Sequence, residues 1–279
     1  MNQLIQVMHT IQEKLEAFGR ILDILDELRV KCPWDRKQTN DSLRPQTIEE
    51  CYELSDAILK ADSHEISKEL GDVLLHVLFY AKIGEEKKEY DIVDVINFLS
   101  DKLIYRHPHV FSSSQVGTAE DVVKQWEMLK TKEKDGNKRV LSGVPDTLPP
   151  LLKAYRMQDK ARGVGFDWEK KEQVWEKVKE EMAEYQAELD AMEKAQTPEE
   201  LAAAKDSAEQ ELGDFLFATV NAARLYGLNP DTALERTCAK FKRRFTYLEE
   251  HTIRQGRNLK DMTLAQMDEI WDEAKSKGL

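Results

Sequence analysis

Two copies of one acidic pattern are where this chain could do chemistry. Glu49-Glu50-Cys51-Tyr52-Glu53 is followed, after a gap, by Glu69-Leu70-Gly71-Asp72. The pattern returns as Glu180-Glu181-Met182-Ala183-Glu184 and, after a longer gap, Glu211-Leu212-Gly213-Asp214. Residues three apart on a helix share a face. Glu50 with Glu53, Glu69 with Asp72, Glu181 with Glu184 and Glu211 with Asp214 are therefore carboxylate pairs. If the two helices of a copy lie side by side, its pairs face each other in a hard, all-oxygen pocket. Such ligands suit Mg²⁺, with Mn²⁺ as the alternative, rather than zinc, which favours His and Cys. Left uncompensated, the charges repel, so a metal, or a metal with its substrate, is the natural complement.

Other residue types extend this chemistry to a polyphosphate. Lys177 lies one turn before Glu181, and Lys240 and Arg244 share a helix face, as do Lys102 and Arg106 in the first half. Metal together with Lys and Arg stabilises charge on a transferring phosphoryl group. Trp168 and Trp271 are candidates for stacking on a base, whereas Trp34, Trp126 and Trp175 read equally well as core. His76 follows Asp72 by one turn and reads as a packing histidine, since Ala218 holds that place in the second copy. Glycine inside a helix costs about 1 kcal/mol relative to alanine. Gly71 and Gly213, each inside a Glu-Leu-Gly-Asp, therefore suggest a close approach by backbone, metal or phosphate.

Helices must present these groups. Apolar periodicity predicts a helix over 4–30, a break at Cys32-Pro33-Trp34-Asp35 with Trp34 plugging a bundle end and Asp35 capping the next segment, and a second helix from Pro45. That helix shows Ile48, Cys51, Ser55, Ile58 and Leu59 on one face. A third helix opens at Ser63 with Leu70, Val73, Leu74, Val77, Leu78 and Ala81 as its buried stripe. Further helices are expected at 92–105 and 118–132. The second half repeats the order: a helix at 151–160, the break Gly163-Val164-Gly165-Phe166-Asp167-Trp168, and the long helix bearing Glu181 and Glu184. A helix capped by Thr197-Pro198-Glu199-Glu200 carries Glu211 and Asp214, and others cover 234–250 and the segment from Thr263. The gap between pairs is longer in the second copy by about three turns at ~3.6 residues per turn, which preserves the facing sides. No strand pattern is seen. The expected fold is all-α, as two repeated four-helix-bundle-like domains at 1–135 and 151–279 with a linker at 136–150.

Composition narrows the function classes. Over 279 residues the net charge is −12, which argues against a nucleic-acid polymer as partner, because backbone neutralisation needs a basic stripe. Cys32, Cys51 and Cys238 show neither C-x-x-C nor disulfide spacing, and no apolar run approaches the ~20 residues that span a bilayer. The expectation is a cytoplasmic protein with no membrane partner.

The doubled Glu-Glu-x-x-Glu…Glu-x-x-Asp pattern closely resembles the MazG family of nucleoside triphosphate pyrophosphohydrolases. So do Cys32-Pro33-Trp34-Asp35 with Gln38-Thr39, Tyr105-Arg106-His107-Pro108-His109-Val110-Phe111 and Val164-Gly165-Phe166-Asp167-Trp168. Asn40 departs from the histidine expected there. The resemblance implies an all-α homodimer that hydrolyses NTPs and dNTPs, ATP among them, between the α- and β-phosphates. It implies Glu181, Glu184, Glu211 and Asp214 as catalytic magnesium ligands, and Lys177, Lys240, Arg244 and Trp271 as nucleotide contacts. Glu50, Glu53, Glu69 and Asp72 match the same ligand positions in the first domain. A di-iron carboxylate bundle ranks low because it needs Glu-x-x-His pairs, which this chain lacks. A non-catalytic helical interaction module with solvated acidic faces is the remaining alternative.

Overall fold

The computed structural model describes residues 9–112, 117–118, 122, 125, 129 and 139–279. The chain forms two compact units, Met1–Ser114 and Gln115–Leu279. Among the described residues there are helices and turns but no strand. The expected helix over 118–132, Trp126 and the Lys134–Lys138 stretch of the linker fall largely or wholly outside those residues.

The first unit contains α1 (Ile11–Lys31), α2 (Asn40–Lys60), α3 (Ser63–Lys87), α4 (Ile92–Arg106) and the short α5 (Pro108–Phe111). α2 and α3 form an antiparallel hairpin closed by two residues. Ala61 takes the left-handed conformation, φ 54°, and Asp62 caps α3 by accepting from the His64 and Glu65 amides. Leu25, Leu43, Leu78, Phe79 and Ile83 make the core where α1, α2 and α3 meet. His76 is buried, and Thr47 Oγ1 lies 2.9 Å from its Nδ1 and 2.6 Å from the Tyr80 hydroxyl. It is a packing residue, as the sequence suggested.

The second unit repeats this arrangement. It contains α6 (Pro150–Gly163), α7 (Val174–Lys194), α8 (Pro198–Leu225), α9 (Pro230–Glu250) and α10 (Leu264–Ser276). α7 and α8 are the matching hairpin, around Val174, Val178, Ala218 and Ala222. The longer gap adds about one turn to the outgoing helix and about two to the returning one. The carboxylate faces stay opposed. Thr197 with Glu200 and Thr263 with Gln266 form the capping boxes that open α8 and α10.

In each unit a buried arginine ties the break after the first helix to the carboxylate-bearing helix. Arg29 donates to the Asp35 and Gln38 carbonyls and pairs with Glu86 at the end of α3. Arg224 near the end of α8 grips Asp167 with two hydrogen bonds.

The structure corrects several readings. α2 starts at Asn40, not Pro45, because Thr39 and Ser42 cap each other's backbone. Pro45 sits in the second turn of α2, close to the helix start, and is exposed. Asp35 is buried and opens a short 3₁₀ turn without capping it. Trp34 and Trp175 are 54% and 45% exposed, so neither is core. On α3, Leu78 and Ala81 are buried as expected, but Leu70, Leu74 and Val77 are exposed. Ile48, Cys51 and Ile58 on α2 are exposed as well. Both helices have two apolar faces, and periodicity does not tell which one meets the core. A Cβ added at Gly71 or Gly213 would meet no protein atom within 4 Å, so neither glycine marks a backbone contact.

The Arg29–Glu86 pair gives a pH signature. The hydrogen bond from Arg29 holds the Glu86 carboxyl below its usual 4.5. Its contribution is therefore present above that value and lost as pH falls through the depressed one. The Glu86 side chain is 41% exposed, so the pair is worth about 1 kcal/mol rather than the value of a fully buried one. Glu86→Gln should cost about that much in urea unfolding near about pH 7, with the deficit shrinking as pH falls below the usual carboxylate range and gone below the depressed value. A deficit independent of pH would show that packing, not charge, is lost.

Candidate metal centre and adjoining cavity

The two hairpins bring carboxylates together as the spacing requires. Glu50 and Glu53 are on α2, Glu69 and Asp72 on α3. In the second unit Glu181 and Glu184 are on α7, Glu211 and Asp214 on α8. Ligand oxygens of Glu50, Glu69 and Asp72 lie within 4.8 Å of one another, and so do those of Glu181, Glu211 and Asp214. Glu53 and Glu184 are not in these tight triads; both are exposed, at the rims.

Electrostatics record the crowding. Burial, then the Asp72, Glu53 and Glu69 charges, pushes the Glu50 carboxyl up. Glu184 is pushed up by desolvation and then by Glu181. Glu69 is buried, and its Oε2 has no hydrogen-bond partner while its Oε1 meets Lys68 Nζ at 3.4 Å. A buried carboxylate oxygen without a donor is costly unless a cation completes it. Three convergent all-oxygen ligands, one of them partly orphaned, fit a hard divalent cation.

Lys177 reaches across this charge. Its Nζ lies 2.8 Å from Glu180 Oε1 and 2.7 Å from Glu181 Oε1, and these partners raise its pKa. Gln46 occupies the matching place in the first copy, four residues before Glu50, and is uncharged. Beside Lys177, Glu181 and Asp214 opens a cavity of about 610 Å³. Phe166, Trp168 and Phe217 line it, with Gln158, Ala218 and Asn221. In the first copy His76 and Phe79 hold the positions of Ala218 and Asn221, and both are buried.

The remaining sequence candidates form a separate group. Arg244 Nε donates to the Leu279 carbonyl at 2.7 Å, and its guanidinium lies 5.9 Å from the Trp271 ring centroid. Trp271 packs on Phe241 at 5.2 Å. Lys240 is exposed one turn before Arg244 on α9. None of these three residues lines the cavity. Gln158, Asn221 and the Asp167–Arg224 pair went unnoticed in the sequence, because isolated amides and a distant ion pair leave no periodic signal.

The family profile of the MazG nucleotide pyrophosphohydrolase domain matches residues 38–111 and 169–248, which contain the two acidic clusters. The chain belongs to the MazG family. It is 41% identical, over 92% of its own length and 95% of the other, to the nucleoside triphosphate pyrophosphohydrolase/pyrophosphatase MazG of Thermotoga maritima. It is 37% identical to the nucleoside triphosphate pyrophosphohydrolase of Escherichia coli K12, covering 94% of this chain and 98% of that protein. The uncharacterized protein YabN of Bacillus subtilis is 46% identical over 95% of this chain, which spans 53% of YabN. The first matched segment contains Glu50, Glu53, Glu69 and Asp72, and the second Glu181, Glu184, Glu211 and Asp214. Among the described residues no helix is long and apolar enough to cross a membrane.

Cation binding to the folded triads should raise the unfolding midpoint, with the rise growing as the logarithm of cation concentration above Kd. At a hundredfold excess over Kd one site adds about 2.7 kcal/mol. Titration of the metal-free protein with Mg²⁺ or Mn²⁺ in a thermal melt should show the rise, and the double variant Glu69→Gln/Asp214→Asn should lose most of it. An unchanged midpoint in the unmodified protein would leave the acidic faces as merely solvated surface.

Proposed function

We propose that this chain is a Mg²⁺-dependent nucleoside triphosphate pyrophosphohydrolase, converting NTPs and dNTPs to the monophosphate and pyrophosphate. The observation that carries the reading is the Glu181–Glu211–Asp214 triad, converging within 4.8 Å at the edge of a cavity that Lys177 also borders. The names of the relatives support the substrate class and the reaction.

Glu181, Glu211 and Asp214 would hold the metal, with Glu184 completing the set from the rim. A hard divalent cation there supplies positive charge that offsets three carboxylates and a triphosphate, and makes water a better nucleophile at neutral pH. Lys177 holds a cation one turn from Glu181, where it meets phosphate oxygens as substrate displaces its contact with Glu180. A glutamate of this cluster takes the proton of the attacking water. Attack at the α-phosphorus breaks the α–β anhydride bond and releases pyrophosphate. Lys240, Arg244 and Trp271 are proposed as further nucleotide contacts, supported by the stacking of Arg244 on Trp271 and the shared face with Lys240. Glu50, Glu53, Glu69 and Asp72 form a second metal site. His76 and Phe79 fill the space that stays open beside Glu181, so the second unit dominates hydrolysis.

We also propose that the protein is a homodimer, acting in the cytoplasm. Ile48 and Ile58 on α2, with Leu70, Leu74 and Val77 on α3, leave an apolar hairpin face exposed. A second copy is the partner that would cover such a face.

With Mg²⁺ and a panel of NTPs, pyrophosphate and the monophosphate should appear in equal amounts. Orthophosphate with a diphosphate would refute cleavage at the α–β bond. Glu211→Gln or Asp214→Asn should lower kcat by about 100-fold, the loss typical when a group that stabilises transition-state charge is removed. Glu69→Gln should lower it far less, and equal losses would refute dominance of the second unit.

A further inference from the structure

The cavity beside the triad contains a polar arrangement that the metal chemistry does not use. Gln158 is only 6% exposed. Its Nε2 donates to the Phe217 carbonyl at 2.8 Å, and its Oε1 is buried without a partner. A carbonyl can only accept, so this contact fixes which end of the amide is nitrogen. The free end is therefore an acceptor. Asn221, one turn after Phe217 on α8, is oriented the same way. Its Oδ1 accepts from Arg224 Nε at 3.1 Å and Nη2 at 2.8 Å, so its Nδ2 is a donor group. Arg224 is in turn fixed by Asp167, with Nη1 3.1 Å from Oδ2. Both amides thus border one cavity in set orientations.

The rest of the lining is apolar and aromatic. Phe166 and Trp168 are 83% and 39% exposed, so ring surface is available to a planar ligand. Ligand cavities run from about 300 to 1,000 Å³ with few, precisely placed polar groups. Aromatic faces stack on any base, while an acceptor beside a donor matches the edge of a base with an N–H next to a ring nitrogen or carbonyl.

We infer that this cavity is a nucleobase pocket, in which Gln158 Oε1 accepts from an N–H of the base and Asn221 Nδ2 donates to the acceptor beside it. The inference rests on the nucleotide hydrolase reading. Each common base offers such an edge, so the pocket recognises bases as a class and discriminates against a base with no N–H. For adenine the partners are the 6-amino group and a ring nitrogen.

The test compares ATP with purine riboside triphosphate, which has the same stacking surface but no amino group. The unmodified protein should favour ATP about tenfold in kcat/KM, the value of one well-placed hydrogen bond. Gln158→Leu should bring the ratio close to one while leaving the purine riboside substrate nearly unaffected. Equal rates in the unmodified protein, or an equal loss on both substrates in the variant, would overturn the assignment. If Gln158→Leu does not fold, Gln158→Met and the unmodified ratio still decide. Calorimetric titration with the α,β-methylene forms of both nucleotides gives the same ratio without turnover. Absence of hydrolysis would then sink the hydrolase reading, and the pocket would be judged on binding alone.

Discussion

Like charges held together against their repulsion are the constraint on which this structure depends. In each unit three carboxylates converge from two helices of one hairpin. Repulsion at that distance favours separating the helices, and Lys68 beside Glu69 and Lys177 beside Glu181 each offset only part of it. The rest of the opposing force comes from elsewhere in each unit. Leu25, Leu43 and Leu78 bury one face of the first hairpin, and Val174, Val178 and Ala218 that of the second. Buried arginines pin the preceding break to the same helices. A packed hairpin can thus present a negative site that waits for a cation, and the cation then acts with the packing rather than against it.

The two repeats share this frame but differ in what stands beside it. In the first, His76, Tyr80 and Thr47 form a hydrogen-bonded plug, and Phe79 is core. In the second, Ala218 and Asn221 take the places of His76 and Phe79, and both line the cavity. Lys177 adds a cation where the first repeat has Gln46. A smaller residue at position 218 and one lysine thus leave the second acidic hairpin with a cavity and a cation beside it.

The triads were legible in the sequence because helical spacing alone places residues three apart on one face, and duplication removed most of the ambiguity. The caps at Thr197 and Thr263 were equally readable, since each acts within four residues. Facts decided across the hairpin were not. Which of two apolar faces of α3 goes inward depends on α1 and α2, so Leu70, Leu74 and Val77 were misplaced. Helix initiation at Asn40 depends on a Thr39–Ser42 exchange that outweighed the proline signal. Trp34 and Trp175 followed a composition rule that local geometry overrode. The orientation of Gln158 rests on a carbonyl 59 positions away, and no local pattern could show it.

The central claim is that the converging carboxylates are cation ligands and not a solvated acidic surface. Anomalous diffraction from crystals soaked in Mn²⁺ tests it most directly. The account predicts a peak among Glu181, Glu211 and Asp214, and a second among Glu50, Glu69 and Asp72. Ions found only on outward-facing acids such as Glu176 or Glu180, with neither triad occupied, would contradict it.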